Sequence, residues 1–165
     1  DQHAAHEKVM FESLMNKLEN KEISSQMINP PIILSLSMSE SQLLEKYLEN
    51  FKNIGFQIEP FGGQDYAVRA VPSDLYTLDS DVLMGIVDNL SNETGKMVPD
   101  IINEKIASMS CKAAVKGNSK LSYEEADKLI EQLLQLDNPY NCPHGRPTII
   151  SMSKYELEKK FKRII

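Results

Sequence analysis

The chain is 165 residues long, carries a net charge of −6, and is 41% hydrophobic and 25% charged. That length and composition suit a soluble globular protein of one domain or two small lobes around a real core. They exclude a helical membrane span, since no apolar run nears the ~18 residues one needs. The acid excess excludes strong autonomous binding to nucleic acid, which depends on neutralising phosphates.

The opening Asp1-Gln2-His3 is polar and no Met precedes it. The chain therefore reads as a piece of something longer, without a secretory leader. From Ala4 the pattern is helical: Phe11, Leu14, Met15 and Leu18 recur at i, i+3, i+4 and i+7 and form one buried stripe. Pro30-Pro31 breaks any helix, and residues 32–36 then read as a strand. Ser39 with Gln42 is a capping-box signal. It opens a helix carrying Leu43, Leu44, Tyr47, Leu48 and Phe51, which Gly55 ends. Residues 56–61 and 66–71 are strand-like runs around Gly62-Gly63, a β-hairpin with a loop of about three to five residues.

Residues 81–90 read as helix despite Gly85, and residues 91–98 as a polar loop. Pro99 suits the first turn of a new helix. Ile102, Ile106, Met109 and Ala113 line one of its faces, and Gly117 stops it. Ser122 and Glu125 form a second capping box, opening a helix to about Gln135. Residues 137–147 are a loop rich in Asn, Pro and Gly; residues 148–152 read as a strand; Ser153 and Glu156 cap a last helix reaching Arg163. The fold class is α+β. The predicted division is a lobe built from both chain ends, residues 1–36 and 98–165, with an inserted lobe at residues 37–97.

Two motifs carry chemistry. His3 and Glu7 are one turn apart on one helix face, and Asp1 sits at the helix's positive end. Asp1, His3 and Glu7 can converge on one point, although spacing alone equally describes an ordinary cap with a solvated first turn. His6 points elsewhere on the wheel, to a supporting or surface position. The second motif is Cys142-Pro143-His144-Gly145-Arg146-Pro147. Proline between two ligand-type residues stiffens the loop, Gly145 permits a turn, and Arg146 is able to fork onto a carboxylate. By itself this is also a structural turn with a buried thiol. Together the motifs offer carboxylates, imidazoles and a thiolate, the donor set of zinc or manganese. Cys111 beside Lys112 is a core thiol or a further ligand. Two cysteines make no disulfide framework, and free thiols or metal ligands are expected instead. The basic cluster Lys154, Lys159, Lys160, Lys162 and Arg163 reads as a solvated helix face.

This set of motifs resembles the C-terminal domain of the MutL mismatch-repair family in its endonuclease-bearing form. Asp1, Gln2, His3, Ala4, Glu7 and Glu12 match that family's D-Q-H-A-x-x-E-x-x-x-x-E motif position by position. Ser110-Cys111-Lys112 stands where the family has A-C-R, residues 142–147 match C-P-H-G-R-P fully, and Phe161-Lys162-Arg163 matches F-x-R. The resemblance covers nearly the whole chain, with the motifs in the family's order. It implies a metal-dependent endonuclease that nicks one strand of duplex DNA, with Asp1 and Glu7 catalytic. It implies a metal site drawn from Asp1, His3, Glu7, Cys111, Cys142 and His144, taking Zn²⁺ and/or Mn²⁺. Glu12 orients the motif.

The resemblance also implies a homodimer formed through the lobe of both chain ends, with the inserted lobe regulatory. It implies weak DNA binding by this region alone, contacts with the replication sliding clamp and MutS, and a cytoplasmic, nucleoid-associated location without a membrane. ATP enters only through a domain absent from this chain, which has no Gly-rich phosphate loop. Two departures stand out. Lys112 keeps the charge of the family's Arg without its planar fork. The family's clamp segment Q-x-x-I-x-P is matched at Ile28-Asn29-Pro30, but Ser25 holds the Gln position and Gln26 falls one step late. Gln26, Met27, Ile28 and Pro30 are the candidate clamp contacts, and a plain linker is the other reading of that stretch. The alternative function is a non-catalytic MutL-type dimerisation module with a structural zinc site.

Overall fold

The computed structural model describes residues 1–75, 78–91, 99–115 and 120–163. It is mixed α+β. In chain order the elements are α1 (Gln2–Glu19), β1 (Ser25–Ser35), α2 (Met38–Ile54), β2 (Gln57–Gly62), β3 (Asp65–Pro72), a short 3₁₀ turn at Ser73–Leu75, α3 (Ser80–Ser91), α4 (Pro99–Ala114), α5 (Tyr123–Leu134) and α6 (Lys154–Lys160). Among the described residues no helix is long and apolar enough to cross a membrane.

The sheet is antiparallel with the order β1-β3-β2. β3 lies in the middle and buries both faces at Tyr66, Ala67, Val68, Ala70 and Val71. β1 is longer than the predicted 32–36 strand and absorbs Pro30-Pro31. It can do so because it is an edge strand, where a residue without an N–H breaks no inner ladder. The pairing register shifts between Met27 and Ile32, around those prolines. The hairpin turn is also tighter than predicted: Gly62 pairs with Asp65, leaving Gly63 and Gln64 between strands. Gly62 and Gly63 both take positive φ there, +128° and +59°, the conformation that makes so short a loop possible.

α2 starts two residues before the predicted box. Ser37 is the N-cap; its Oγ accepts from Glu40 N, and the Glu40 carboxylate accepts from Ser37 N at 2.6 Å. A carboxylate at the third helical position completes the box and also meets the helix dipole, which Gln42 cannot do. Gly55 closes α2 in the left-handed region. The caps at Ser122 with Glu125 and at Ser153 with Glu156 stand as read. α6 ends at Lys160, short of Arg163, and Lys162 then turns at φ +53°. The polar stretch 92–98 and Gly117 lie outside the described residues. Both cysteines are free.

One large core joins Leu14 of α1, Leu34 of β1, Leu44, Phe51 and Ile54 of α2, the β3 residues, Leu83 to Leu90 of α3, and Ile102 and Ile106 of α4. Phe51 and Phe56 meet edge to face with centroids 5.5 Å apart. A second, small cluster packs Ala5 and Val9 of α1 against Leu129 and Leu133 of α5. The expected division at residues 36/37 and 97/98 is crossed by this packing. β1 pairs along β3 over that boundary, and the large core takes residues from both sides. α1 gives one face to each cluster.

The predicted strand at residues 148–152 is not one. The single bridge nearby is Asn141 with Pro147. No described strand edge lies alongside to complete a ladder, so the apolar run Ile149, Ile150 and Met152 stays exposed, Ile150 to 80%.

Candidate metal centre

α1 sets the first half of the site. Asp1 caps it, its carboxylate accepting from Ala4 N at 3.0 Å. Ala4, Ala5, Glu7, Lys8 and Leu14 are the helix's buried residues. Small residues at 4 and 5 let neighbouring backbone approach closely, and Glu7 follows them into the interior. Its side chain is only 2% exposed. Lys8, also buried, is neutralised by Glu12 one turn on at 2.5 Å. Glu12 thus fixes α1 and does not reach the centre.

The loop at residues 139–148 sets the second half. Cys142 N donates to Arg146 O and Gly145 N to Cys142 O, both at 2.9 Å, while Gly145 takes φ +79°. This tight turn pushes Cys142 and His144 to the same side. Thr148 locks the loop by donating from its N to Tyr140 O and from its Oγ1 to Pro139 O. Asp1 N lies 2.6 Å from Thr148 O, which ties the loop to the start of α1.

The result is a three-donor group: one ligand atom each from Glu7, Cys142 and His144, all within 4.8 Å of one another. His144 Nδ1 lies 2.5 Å from Glu7 Oε1, yet that buried oxygen has no hydrogen-bond partner. The contact is close but off the N–H direction. A buried anionic oxygen left without a donor is costly. Two lone-pair atoms and a thiol facing one point are what a cation between them would satisfy. One carboxylate, one imidazole and one sulfur form a zinc-type donor set.

Of the other residues singled out, Asp1 and His3 stand on the same helix, outside that three-donor group. Cys111 is fully buried in the large core. Burial first, then the Glu7 and Asp74 carboxylates, push its thiol up to about 12, and it stands outside the three-donor group. His6 is half-buried and its pKa is lowered by burial above all. Lys112 is exposed and lines, with Lys105, Ser108, Met109, Ile86 and His144, a cleft of about 610 Å³ beside the centre. Ser108 was not legible in the sequence: its Oγ lies 3.2 Å from His144 Nε2, and a serine on an amphipathic helix carries no signal of such a contact. Of the clamp candidates, Gln26, Met27, Ile28 and Pro30 all sit on edge strand β1, with Met27 exposed to 63%.

A surface groove of about 760 Å³ adjoins the centre on its α5 side, lined by Leu121, Leu129, Ile130, Leu134, Ile149 and Ile150.

Comparison with known proteins gives the family to which this α+β fold belongs. The family described as the MutL C-terminal dimerisation domain matches residues 1–121. The chain belongs to that family. It is 58% identical, over its whole length, to the DNA mismatch repair protein MutL of Agathobacter rectalis, covering 26% of that protein. It is 45% identical over 99% of its length to the DNA mismatch repair protein MutL of Clostridium botulinum and 41% identical over its whole length to that of Clostridium beijerinckii. It spans about a quarter of each of these two relatives, 25%.

Proposed function

We propose that this chain is the metal-dependent endonuclease region of a mismatch-repair protein, nicking one strand of duplex DNA and joining two copies of the protein. The observation that carries the reading is the convergence of Glu7, Cys142 and His144 from opposite ends of the chain, with Glu7 Oε1 buried and unpaired. Cys142 and His144 are the softer donors and suit Zn²⁺; Asp1, His3 and Glu7 offer the harder set that Mn²⁺ prefers. Asp1, His3, Glu7, Cys111, Cys142 and His144 together make up the proposed ligand set. When bound, such a metal supplies Lewis acidity toward phosphate and lowers the pKa of water.

The chain's own residues do the rest. Glu7 and Asp1 present carboxylates for orienting an attacking water. The flanking cleft would give a phosphodiester access to these residues, and Lys105 and Lys112 line it with cationic side chains. The net charge of −6 keeps DNA affinity low for this region alone. DNA is then brought by the remainder of the protein, the sliding clamp and MutS, and ATP acts through a domain outside this chain. Clamp contact falls on β1 through Gln26, Met27, Ile28 and Pro30, because an edge strand is a ready docking line for a partner. The homodimer buries the apolar face of α5 and residues 149–150.

The test is nicking of supercoiled plasmid by the full-length protein with Mn²⁺, beside its Asp1→Asn form. Loss of nicking with dimerisation kept supports the nuclease. Equal nicking by both refutes a centre at Asp1. No nicking by either, with clamp and MutS supplied, leaves a dimerisation module whose zinc is structural.

A further inference from the structure

We infer that Ser108 of α4 is a positioning residue for the metal centre, fixing the tautomer and orientation of His144 through its ring Nε2; this rests on the metal-binding reading above. Two contacts converge on it. Ser108 Oγ lies 3.2 Å from His144 Nε2. The other ring nitrogen, Nδ1, is the one turned toward Glu7, at 2.5 Å from Oε1. Glu7 Oε1 has no hydrogen bond despite that approach.

A neutral imidazole carries one N–H and one lone pair, and the hydrogen bond made by one nitrogen decides the state of the other. Ser108 Oγ accepts from an Nε2–H. With the proton held there, Nδ1 carries the lone pair, aimed at the point shared with Glu7 and Cys142. The opposite tautomer would place the proton on Nδ1 and remove the lone pair that a metal needs there. Ligating histidines are generally held this way, their second nitrogen bonded to an oxygen that sets ring orientation and basicity.

Ser108 suits the task because it comes from a different element. Glu7 stands on α1 and His144 on the 139–148 loop, while α4 is packed into the large core through Ile106 and Cys111, on either side of Ser108 in sequence. His144 sits on a loop and its side chain is 27% exposed. The hydroxyl couples it to a helix whose position the core has already set.

The experiment uses the full-length protein with Co²⁺ as a spectroscopic stand-in for Zn²⁺. It reads the thiolate-to-cobalt charge-transfer band and the zinc affinity by competition. Cys142→Ser identifies the band that belongs to this centre. Ser108→Ala is expected to weaken metal binding by about 10- to 100-fold, with thermal unfolding of the metal-stripped proteins unchanged. Ser108→Thr, which keeps the hydroxyl, is expected to regain most of the affinity. Unaltered affinity and band in Ser108→Ala overturn the inference while the metal centre stands. A loss in Ser108→Ala that Ser108→Thr does not repair also overturns it, since packing and not the hydroxyl would then be responsible. If the unaltered protein shows no Cys142-dependent band, the metal-binding reading itself falls, and the role of Ser108 with it.

Discussion

Glu7→Gln should move stability in opposite directions with and without metal. The carboxylate is buried, with its side chain only 2% exposed, and Oε1 lacks a hydrogen bond. A buried polar atom without a partner costs the native state about 1–3 kcal/mol, more when charged. Replacing Glu7 by its uncharged near-isostere removes the charge and keeps the volume. In chelator, therefore, Glu7→Gln should be at least as stable as the parent, and by this estimate more stable. For a domain of this size each kcal/mol moves the melting temperature by about 2–4 °C. Zinc reverses the order. A ligand at a hundred times its Kd stabilises the native state by about 2.7 kcal/mol, and the parent should gain that while Glu7→Gln gains much less. The assay is thermal unfolding of both proteins in chelator and across a zinc titration. If His144 and Glu7 instead form a stabilising ion pair, breaking it costs about 3–5 kcal/mol. A large loss for Glu7→Gln in chelator would therefore refute the account, as would an equal zinc response in both proteins.

Cys111 gives a pH prediction. Its thiol stays protonated in the native state up to about 12, against 9.0 ordinarily. The unfolded chain loses that proton first, so the stability due to burying a neutral thiol is complete below the unfolded value. It is lost as pH rises toward the folded one, at up to about 1.4 kcal/mol per pH unit. Cys111→Ala should show a flatter alkaline stability profile than the parent in denaturant titrations at stepped pH; parallel profiles would refute it. Gly55→Ala should destabilise by more than ~1 kcal/mol, since φ is +106° and a Cβ would lie 2.7 Å from Ile23 Cγ2; an unchanged urea midpoint would count against it. Ser110 is fully buried with an unpaired hydroxyl, so Ser110→Ala should be neutral or stabilise by up to ~1–3 kcal/mol, read from the same urea midpoints. Leu134→Glu, on the apolar α5 face, should shift sedimentation of the full-length protein toward monomer without lowering its zinc affinity.

Much of the frame was legible because it rests on local rules. Capping boxes at Ser122 and Ser153, the glycine stop at Gly55 and the Gly62-Gly63 hairpin each depend on a few neighbouring residues. What was hidden depends on partners distant in sequence. β1 could carry two prolines only because it is an edge, and strand order is not written in its own residues. Residues 148–152 have a strand's composition but no strand to pair with. The site shows the same contrast. Glu7, Cys142 and His144 were legible as ligand types and are brought together. Cys111 was readable either as ligand or as core thiol, and α4 buries it in the large core. Ser108 had no signal at all, because its role exists only once a loop from the other end of the chain lies over it.

The long reach between Glu7 and the Cys142–His144 turn has a consequence for how the protein is made. Chains emerge from the ribosome N-terminus first, and the large core is complete by Ala114. The turn that closes the centre comes later in the chain, at residues 139–148. A chain made only as far as Ala114 can therefore build the large core while still lacking Cys142 and His144. The donors of the candidate centre come together only after the core that positions α1 and α4 has its residues.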